Sequence, residues 1–438
     1  MPNSKVRKVL IITYYWPPAG GAGVQRWLKF VKYLRLFNWE PIVYTPENPQ
    51  MPAIDETLEK DIPSGIEIIK LPIKEPYNAY KKLVGLKKED KLGGGFIQDK
   101  KKLGFTHHMA VWLRGNFFIP DARKFWIKPS IRFLEEYISN NPVDAVISTG
   151  PPHSMHLIAQ QVHRKTHIPW LADFRDPWTG IDFYHQLKLT KIADSIHHTL
   201  EKKVLQQANE VVVVSNRMKE EFYNIHKREY HVITNGFDED DIKPLPYEEL
   251  DKKFTLTHTG SLTASRNPEA LWEAIGEAVN QHPALAKALE IKLIGKNDVS
   301  VIQSIKKNNL LSYLIQSEYI PHPEVIKAMQ KSQVLLLLIN NTPNAKGILT
   351  GKLFEYLATG RPILNIGPTD GDAALVITQC NAGSTIDLDD KENIKKQILS
   401  YFSLYEKGLH GGKHDIDKTY SRKNLTSQIA VVLNKMAE

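Results

Sequence analysis

The chain of 438 residues has a single cysteine, Cys380, which excludes any intramolecular disulfide. So little cysteine fits a reducing compartment such as the cytoplasm. Long apolar runs are also missing. The longest, "VLLLLI" from Val334, has the length of a strand and falls far short of the ~20 residues that a membrane-spanning helix needs. Lys5, Arg7 and Lys8 precede "VLIITYYW" in a faint imitation of an export signal. No small-residue cleavage site follows, so this run reads as a first core strand. There is no internal repeat, no zinc-finger or RNP-type spacing and no basic helix with regularly placed base-reading side chains. Nucleic acid is therefore not an expected partner.

The composition is otherwise ordinary for a globular chain, with 42% hydrophobic and 24% charged residues. The length points to two or three domains, each large enough for its own core. Lys and Arg exceed Asp and Glu by 57 to 49, and the excess of +8 is uneven. The stretch Lys81 to Lys102 holds eight lysines against three acids, and "LGFTHHMAVWLRGNFFIP" follows with Trp112, Phe117 and Phe118. A solvated lysine-rich loop is one reading. An anionic membrane surface met by residues 81–118 is the other, because basic residues beside aromatics suit a lipid interface.

Short apolar runs alternate with longer amphipathic stretches. The first series of candidate strands is "VRKVLIITYY", "EPIVYT", "IEIIKLP", "VDAVISTG", "PWLADF", "EVVVVS" and "YHVITNG". The second is "KFTLTHTGS", "IKLIG", "SEYI", "SQVLLLLI" and "RPILNIG". Many of these runs are continuously apolar, as strands covered on both faces are. Strand–helix alternation of this kind predicts an α/β fold with two doubly wound parallel sheets. The polar, proline-bearing stretch Asn235 to Lys253 marks a boundary near residue 245, giving domains of 1–245 and 246–438, with the last helix able to return to the first domain. Ligands of such sheets sit beyond the carboxyl ends of the strands, which directs attention to the residues after each strand.

After the first strand comes "TYYWPPAGGAGVQRW", unusually rich in glycine where a strand hands over to a helix. Glycine there permits a turn with positive φ, close approach of backbone to a ligand, or an open helix N-terminus that welcomes an anion. After the first strand of the second series comes "HTGSLTASRNPEALWEAI". Gly260 and Ser261 turn the chain, and Asn267 and Pro268 read as N-cap and first helical residue. Arg266 stands at that helix start, electrostatically misplaced unless an anion joins it or it reaches into solvent. In "NAKGILTGKLFEYLATGRPILNIG" the pattern predicts a helix from Gly351 to Thr359, stopped by Gly360. Lys352 and Glu355 share a face of it, either as a surface ion pair or as groups for a phosphate and a pair of sugar hydroxyls.

Taken together these motifs resemble retaining GT-B glycosyltransferases of the family 4 type. "GKLFEYLATGRPIL" is similar to the family's nucleotide-sugar signature, "HTGSLTASRNPEAL" to its phosphate loop and "PPAGGAGVQRW" to its N-terminal glycine loop. "PVDAVISTGPPHSMHLIAQQV", "IPWLADFRDPW" and "VVVVSNRMKEEF" stand in the matching order. The resemblance implies two Rossmann-like domains facing a cleft, with a nucleotide-diphosphate sugar mainly on the second. It implies that Arg266 and Lys352 clamp the diphosphate, that Glu355 holds the ribose and that Gly295 lies near the base. Gly20 and Gly21 would let backbone approach the donor phosphate and the acceptor. Gly347 stands where the family often has a second glutamate, so Thr350, Gly351 and nearby backbone would take over its part. Ser148 and Thr149 stand where a histidine often ends the fourth strand, with His153 shortly after.

His153 and His156 in "PPHSMH" read as structural histidines or as a metal pair without an obvious third ligand. Asp173, Arg175 and Asp176 in "DFRDPW" read as a self-satisfied surface ion-pair cluster or, with His153, as the group that binds acceptor hydroxyls and orients the reacting sugar. "DLDD", Asp387 to Asp390, resembles a metal-binding DxD but reads better as the acidic start of a helix. No metal or other cofactor is expected. The resulting expectation is a retaining transferase at the inner face of the cytoplasmic membrane, acting on a glycan or lipid-linked acceptor in bacterial surface polysaccharide synthesis. Two rivals stand beside it. For a nicotinamide dehydrogenase, "GAGVQR" puts Arg26 where a small residue belongs. A two-domain sugar-binding protein needs an export signal and has no use for a phosphate clamp.

Overall fold

The computed structural model describes residues 6–51, 54–75, 105–242, 250–318, 320–409 and 418–438. The chain forms two compact units, Met1–Thr234 with Lys423–Glu438, and Asn235–Arg422. The division lies at Thr234, whereas the sequence reading placed it near 245.

The first unit is built on a seven-stranded sheet in the order β3-β2-β1-β4-β5-β6-β7. Its strands are β1 (Arg7–Ile12), β2 (Trp39–Pro46), β3 (Glu67–Leu71), β4 (Ala145–Gly150), β5 (Trp170–Phe174), β6 (Glu210–Val213) and β7 (His231–Val232). Every pairing is parallel. The apolar residues of the central strands split by parity between two cores. Leu10 and Ile12 of β1 join Val146, Trp170 and Ala172 on one face, while Val9 and Ile11 join Ala145, Ile147 and Leu171 on the other. That double covering is why these strands read as unbroken apolar runs. The C-terminal helix Arg422–Met436 completes the second core with Leu425, Ile429 and Leu433.

The second unit holds a six-stranded sheet in the order β10-β9-β8-β11-β12-β13. Its strands are β8 (Phe254–Thr259), β9 (Leu289–Ile294), β10 (Leu314–Ser317), β11 (Val334–Leu338), β12 (Ile363–Ile366) and β13 (Gly383–Ile386). These too are all parallel. Two strands differ from the sequence reading. β10 is "LIQS", three residues before the expected "SEYI", and β13, "GSTI", carried no expectation. Both are edge strands with polar or exposed residues, so they lack the apolar run that marks a central strand. The "DLDD" stretch opens the helix Lys391–Glu406, and the Asp390 carboxylate caps it by accepting from the Asn393 N–H.

In both sheets the strand order reverses direction beside the first strand, between β1 and β4 and between β8 and β11. These are the switch points where loops part and ligands of doubly wound sheets bind.

Candidate active site

At the switch point of the second unit, β8 runs into Gly260 and Ser261, and β11 leads on to the helix Gly351–Thr359. The helix has the predicted bounds. Gly360 ends it in a left-handed conformation (φ 69°), which suits glycine. Lys352, in its first turn, turns back to β8. Its Nζ donates to the Thr259 carbonyl at 2.6 Å and lies 3.2 Å from His258 Nε2. His258 is fully buried, and its Nδ1 lies 2.9 Å from the Leu336 carbonyl oxygen. A carbonyl only accepts, so Nδ1 carries the proton and Nε2 offers its lone pair to the lysine. A Cβ on Gly260 would stand 3.1 Å from Lys352 Nζ, so glycine here leaves the ammonium its room.

Arg266 lies in the short turn Ala264–Arg266, ahead of the helix Glu269–Gln281. Its Nε donates to Asn340 Oδ1 and its Nη1 to the Ser261 carbonyl. Burial first, and then the charge of Arg266, hold the Lys352 ammonium well below the usual lysine range, against an upward pull from Glu355. Among the described residues no carboxylate forms an ion pair with Lys352. Glu355 Oε1 is 3.0 Å from His322 Nε2 instead. The Thr350 hydroxyl is buried without a hydrogen-bond partner among the described residues, directly before Gly351, around which a Cβ would find open space.

Gly295, after β9, packs on Gly260: a Cβ there would come within 2.7 Å of the Gly260 carbonyl oxygen, and its φ of 128° also favours glycine. Asn267 does not cap the following helix. Pro268 takes the cap position, while the Asn267 side chain donates to Ser304 Oγ and accepts from Trp272 Nε1.

In the first unit the glycine loop serves two needs. Gly21 caps the helix Ala22–Leu34 with φ 99° and is exposed, while Gly20 beside it is buried. Gly23 takes the close approach of Arg175, whose Nη1 would lie 2.9 Å from a Cβ there and donates to the Gly23 carbonyl at 2.9 Å. Arg175 Nη2 donates to the Pro151 carbonyl. One guanidinium thus ties the first turn of the helix Ala22–Leu34 to the loop after β4, across the switch point.

Asp173 has a different place from the one expected. It is fully buried at the end of β5 and accepts from Arg26 Nη2 (2.8 Å), Trp27 Nε1 (2.7 Å) and Thr149 Oγ1 (2.9 Å). Burial pushes its carboxyl up, but the Arg26 guanidinium and these hydrogen bonds outweigh burial and hold it below the usual carboxylate range. Its oxygens are committed within the fold, so Asp173 serves the frame and is not available to an acceptor hydroxyl. Arg26 also donates to the carbonyls of Thr234 and Ile233. The residue that breaks the dinucleotide fingerprint is thus the cation of a buried pair. Asp176 is exposed.

His153 stacks face to face on Trp178, with ring centroids 4.6 Å apart. His156 Nδ1 lies 2.8 Å from Ser148 Oγ, which accepts from Trp170 Nε1. His153 Nδ1 and His156 Nε2 have no partner among the described residues, and a Cβ on Gly150 would come within 3.1 and 2.5 Å of them. Burial drives His153 well below the usual histidine range and His156 down to about 3, so both are neutral at pH 7. They belong to no cluster of three or more metal-ligating side chains among the described residues. Sequence reasoning missed His258, His322 and Trp178, and the pairing role of Arg26; each touches a residue it did single out.

Two parallel, doubly wound sheets with glycine-bearing loops at each switch point define a fold of the GT-B type. Residues 98–241, a third of the chain, match the family described as Glycosyltransferase Family 4. The fold is similar over its whole length to sucrose-phosphate synthase from Thermosynechococcus elongatus, at 13% identity and a TM-score of 0.63, covering 98% of each chain. It is also similar to the Anabaena protein HepE in complex with UDP-glucose, at 12% identity and a TM-score of 0.63, covering 98% of this chain and 100% of that one. WaaG, a glycosyltransferase involved in lipopolysaccharide biosynthesis, shares 14% identity with a TM-score of 0.60, covering 97% of this chain and 99% of that one. No curated protein sequence matches the chain. The resemblance to GT-B glycosyltransferases therefore holds in a family match and in the fold.

Proposed function

We propose that the protein is a retaining glycosyltransferase that moves a sugar from a nucleotide-diphosphate donor to a glycan or lipid-linked acceptor, in bacterial surface polysaccharide synthesis. One observation carries the donor half. Lys352 and Arg266 bring two cations to the switch point of the second unit, where they repel each other and where burial disfavours the lysine charge. A diphosphate between them would relieve both costs. The bond that breaks leaves negative charge on that diphosphate, and fixed cations with a helix N-terminus stabilise it as it forms. This reading gives the charge to the protein's own groups and requires no metal. In the family's front-face mechanism the departing phosphate oxygen takes the acceptor's proton, and no enzyme nucleophile is called for.

Calorimetry with UDP and GDP tests the reading directly. Heat of binding with at least one is expected, and silence with both would remove the donor site. Glu355→Gln should raise the donor KM about tenfold or more, the scale of a hydrogen bond to a charged group, with kcat little changed. The ribose is remote from the reacting bond, so its contacts act alike in ground and transition states. A fall in kcat at saturating donor with KM unchanged would contradict the ribose role.

For the acceptor side we propose reversible attachment to anionic membrane. Among the described residues no helix is long and apolar enough to cross a membrane. Met109, Trp112 and Phe117 of the helix Phe105–Phe117 are exposed, as is Phe125. Lys124 Nζ lies over the rings of Phe118 and Phe125, at 5.8 and 5.5 Å. The lysine cluster Lys81–Lys102 itself lies outside the described residues. Each lysine near an anionic surface contributes about 1 kcal/mol, screened within a Debye length. Liposome binding should therefore need anionic lipid and fall sharply with salt. Replacing Lys81, Lys82, Lys87 and Lys88 by glutamine should release the protein yet spare transfer to a short soluble acceptor. Indifference of the wild-type chain to anionic liposomes at low salt would end the membrane half of the proposal.

A further inference from the structure

The helix His322–Lys331 lies beside the helix that carries Lys352 and Glu355. Its Ile326 and Met329 share an apolar cluster with Leu353, Phe354 and Leu357. That packing brings the first residue of the one helix, His322, over the Glu355 carboxylate of the other, Nε2 to Oε1 at 3.0 Å. A carboxylate only accepts, so Nε2 is the donor of this bond. Both side chains are partly buried, at 15% and 22% exposure. A carboxylate has about four acceptor positions, and His322 occupies one of them.

We infer that His322 is a positioning residue for nucleotide binding: its Nε2–H holds the Glu355 carboxylate in one orientation, with its remaining lone pairs open to the two hydroxyls of a ribose. The inference rests on the donor-site reading above. A glutamate on a partly exposed helix face otherwise samples several rotamers and must give them up when the ribose binds. Fixing it in advance removes that cost, which for one flexible side chain amounts to a factor of about three to ten in affinity. His322 touches no reacting atom in this scheme, so its loss changes binding and not the chemical step.

The test uses the full chain and calorimetry with UDP and GDP, each beside its 2′,3′-dideoxy analogue. His322→Ala should weaken the better ribonucleotide by about three- to tenfold. His322→Gln, whose amide N–H can stand in for Nε2–H, should stay within about twofold of wild type. The dideoxy analogue should bind wild type and His322→Ala equally, because the effect passes through the ribose hydroxyls. In transfer assays the alanine variant should raise donor KM at unchanged kcat. A histidine that only braces the two helices would lower the melting temperature and leave these ratios alone. Equal ribonucleotide affinity for wild type and His322→Ala, or the same loss with the dideoxy analogue, would overturn the inference while leaving the donor site standing. Wild-type protein that binds neither nucleotide would remove the donor site and this inference with it.

Discussion

Lys352→Ala and Arg266→Ala should each cut turnover by about 10²–10³, the loss expected when one preorganised donor to a developing negative charge is removed. The fold should survive both changes. Among the described residues Lys352 Nζ hydrogen-bonds only with the Thr259 carbonyl and His258, and its charge is disfavoured by burial and by Arg266. Removing it should therefore leave the melting temperature unchanged or raise it, as functional groups held in costly surroundings often do. Activity lost with stability kept is the signature of a group positioned for a ligand. Near-normal donor turnover in both purified variants would dismiss the phosphate clamp. A large fall in melting temperature for Lys352→Ala would make the lysine a structural residue instead.

Asp173→Ala should produce the opposite pattern, unfolding the first unit rather than disabling a site. It strands the Arg26 guanidinium in a place with no exposure, and breaking a buried pair from one side costs about 3–5 kcal/mol. That is a large part of the ~5–15 kcal/mol that holds a domain together. Asp173→Asn keeps an acceptor for Trp27 or Thr149 but loses the charge, and should fall between wild type and alanine. The pH dependence follows from the sign of the shift. The folded carboxyl lies below its unfolded value, so the pair contributes in full above the unfolded pKa, near 3.8. The contribution fades as pH falls through the folded pKa. Denaturant melts at pH 7 and on acidification measure both effects. An alanine variant as stable as wild type, but inactive, would return Asp173 to the acceptor site.

What the sequence revealed depended on how local the signal was. Central strands such as β1 and β11 are covered on both faces, and their apolar runs announce them. The edge strands β10 and β13 lack that cover, and "GSTI" looks like a loop. The helix Gly351–Thr359 was legible to the residue because Gly360 stops it with a conformation that favours glycine. The helix after Arg266 was not, since Trp272 and Ser304 compete for the Asn267 side chain that was expected to cap it. The candidate residues were legible through motifs, but their partners were not. His258 is 94 positions from Lys352, and Arg26 is 147 from Asp173. One signal was available in hindsight. Arg26 sits among Trp27, Leu28 and Phe30, and an arginine among so many buried apolar residues needs a buried carboxylate to answer it. No such pattern marks His322.

The path of the chain through its two units also sets an order of manufacture. Residues 235–422 are inserted between the body of the first unit and its closing helix. A ribosome must therefore make those 188 residues before Leu425, Ile429 and Leu433 exist to complete the core they share with Val9, Ile11 and Trp39. At ordinary rates of synthesis that wait is on the order of 10–40 s. During it the nascent first unit carries an uncovered greasy seam, while the second unit is free to fold as it emerges. The unit that begins first thus finishes last. Its yield in a cell hangs on a helix made only after the whole of the second unit.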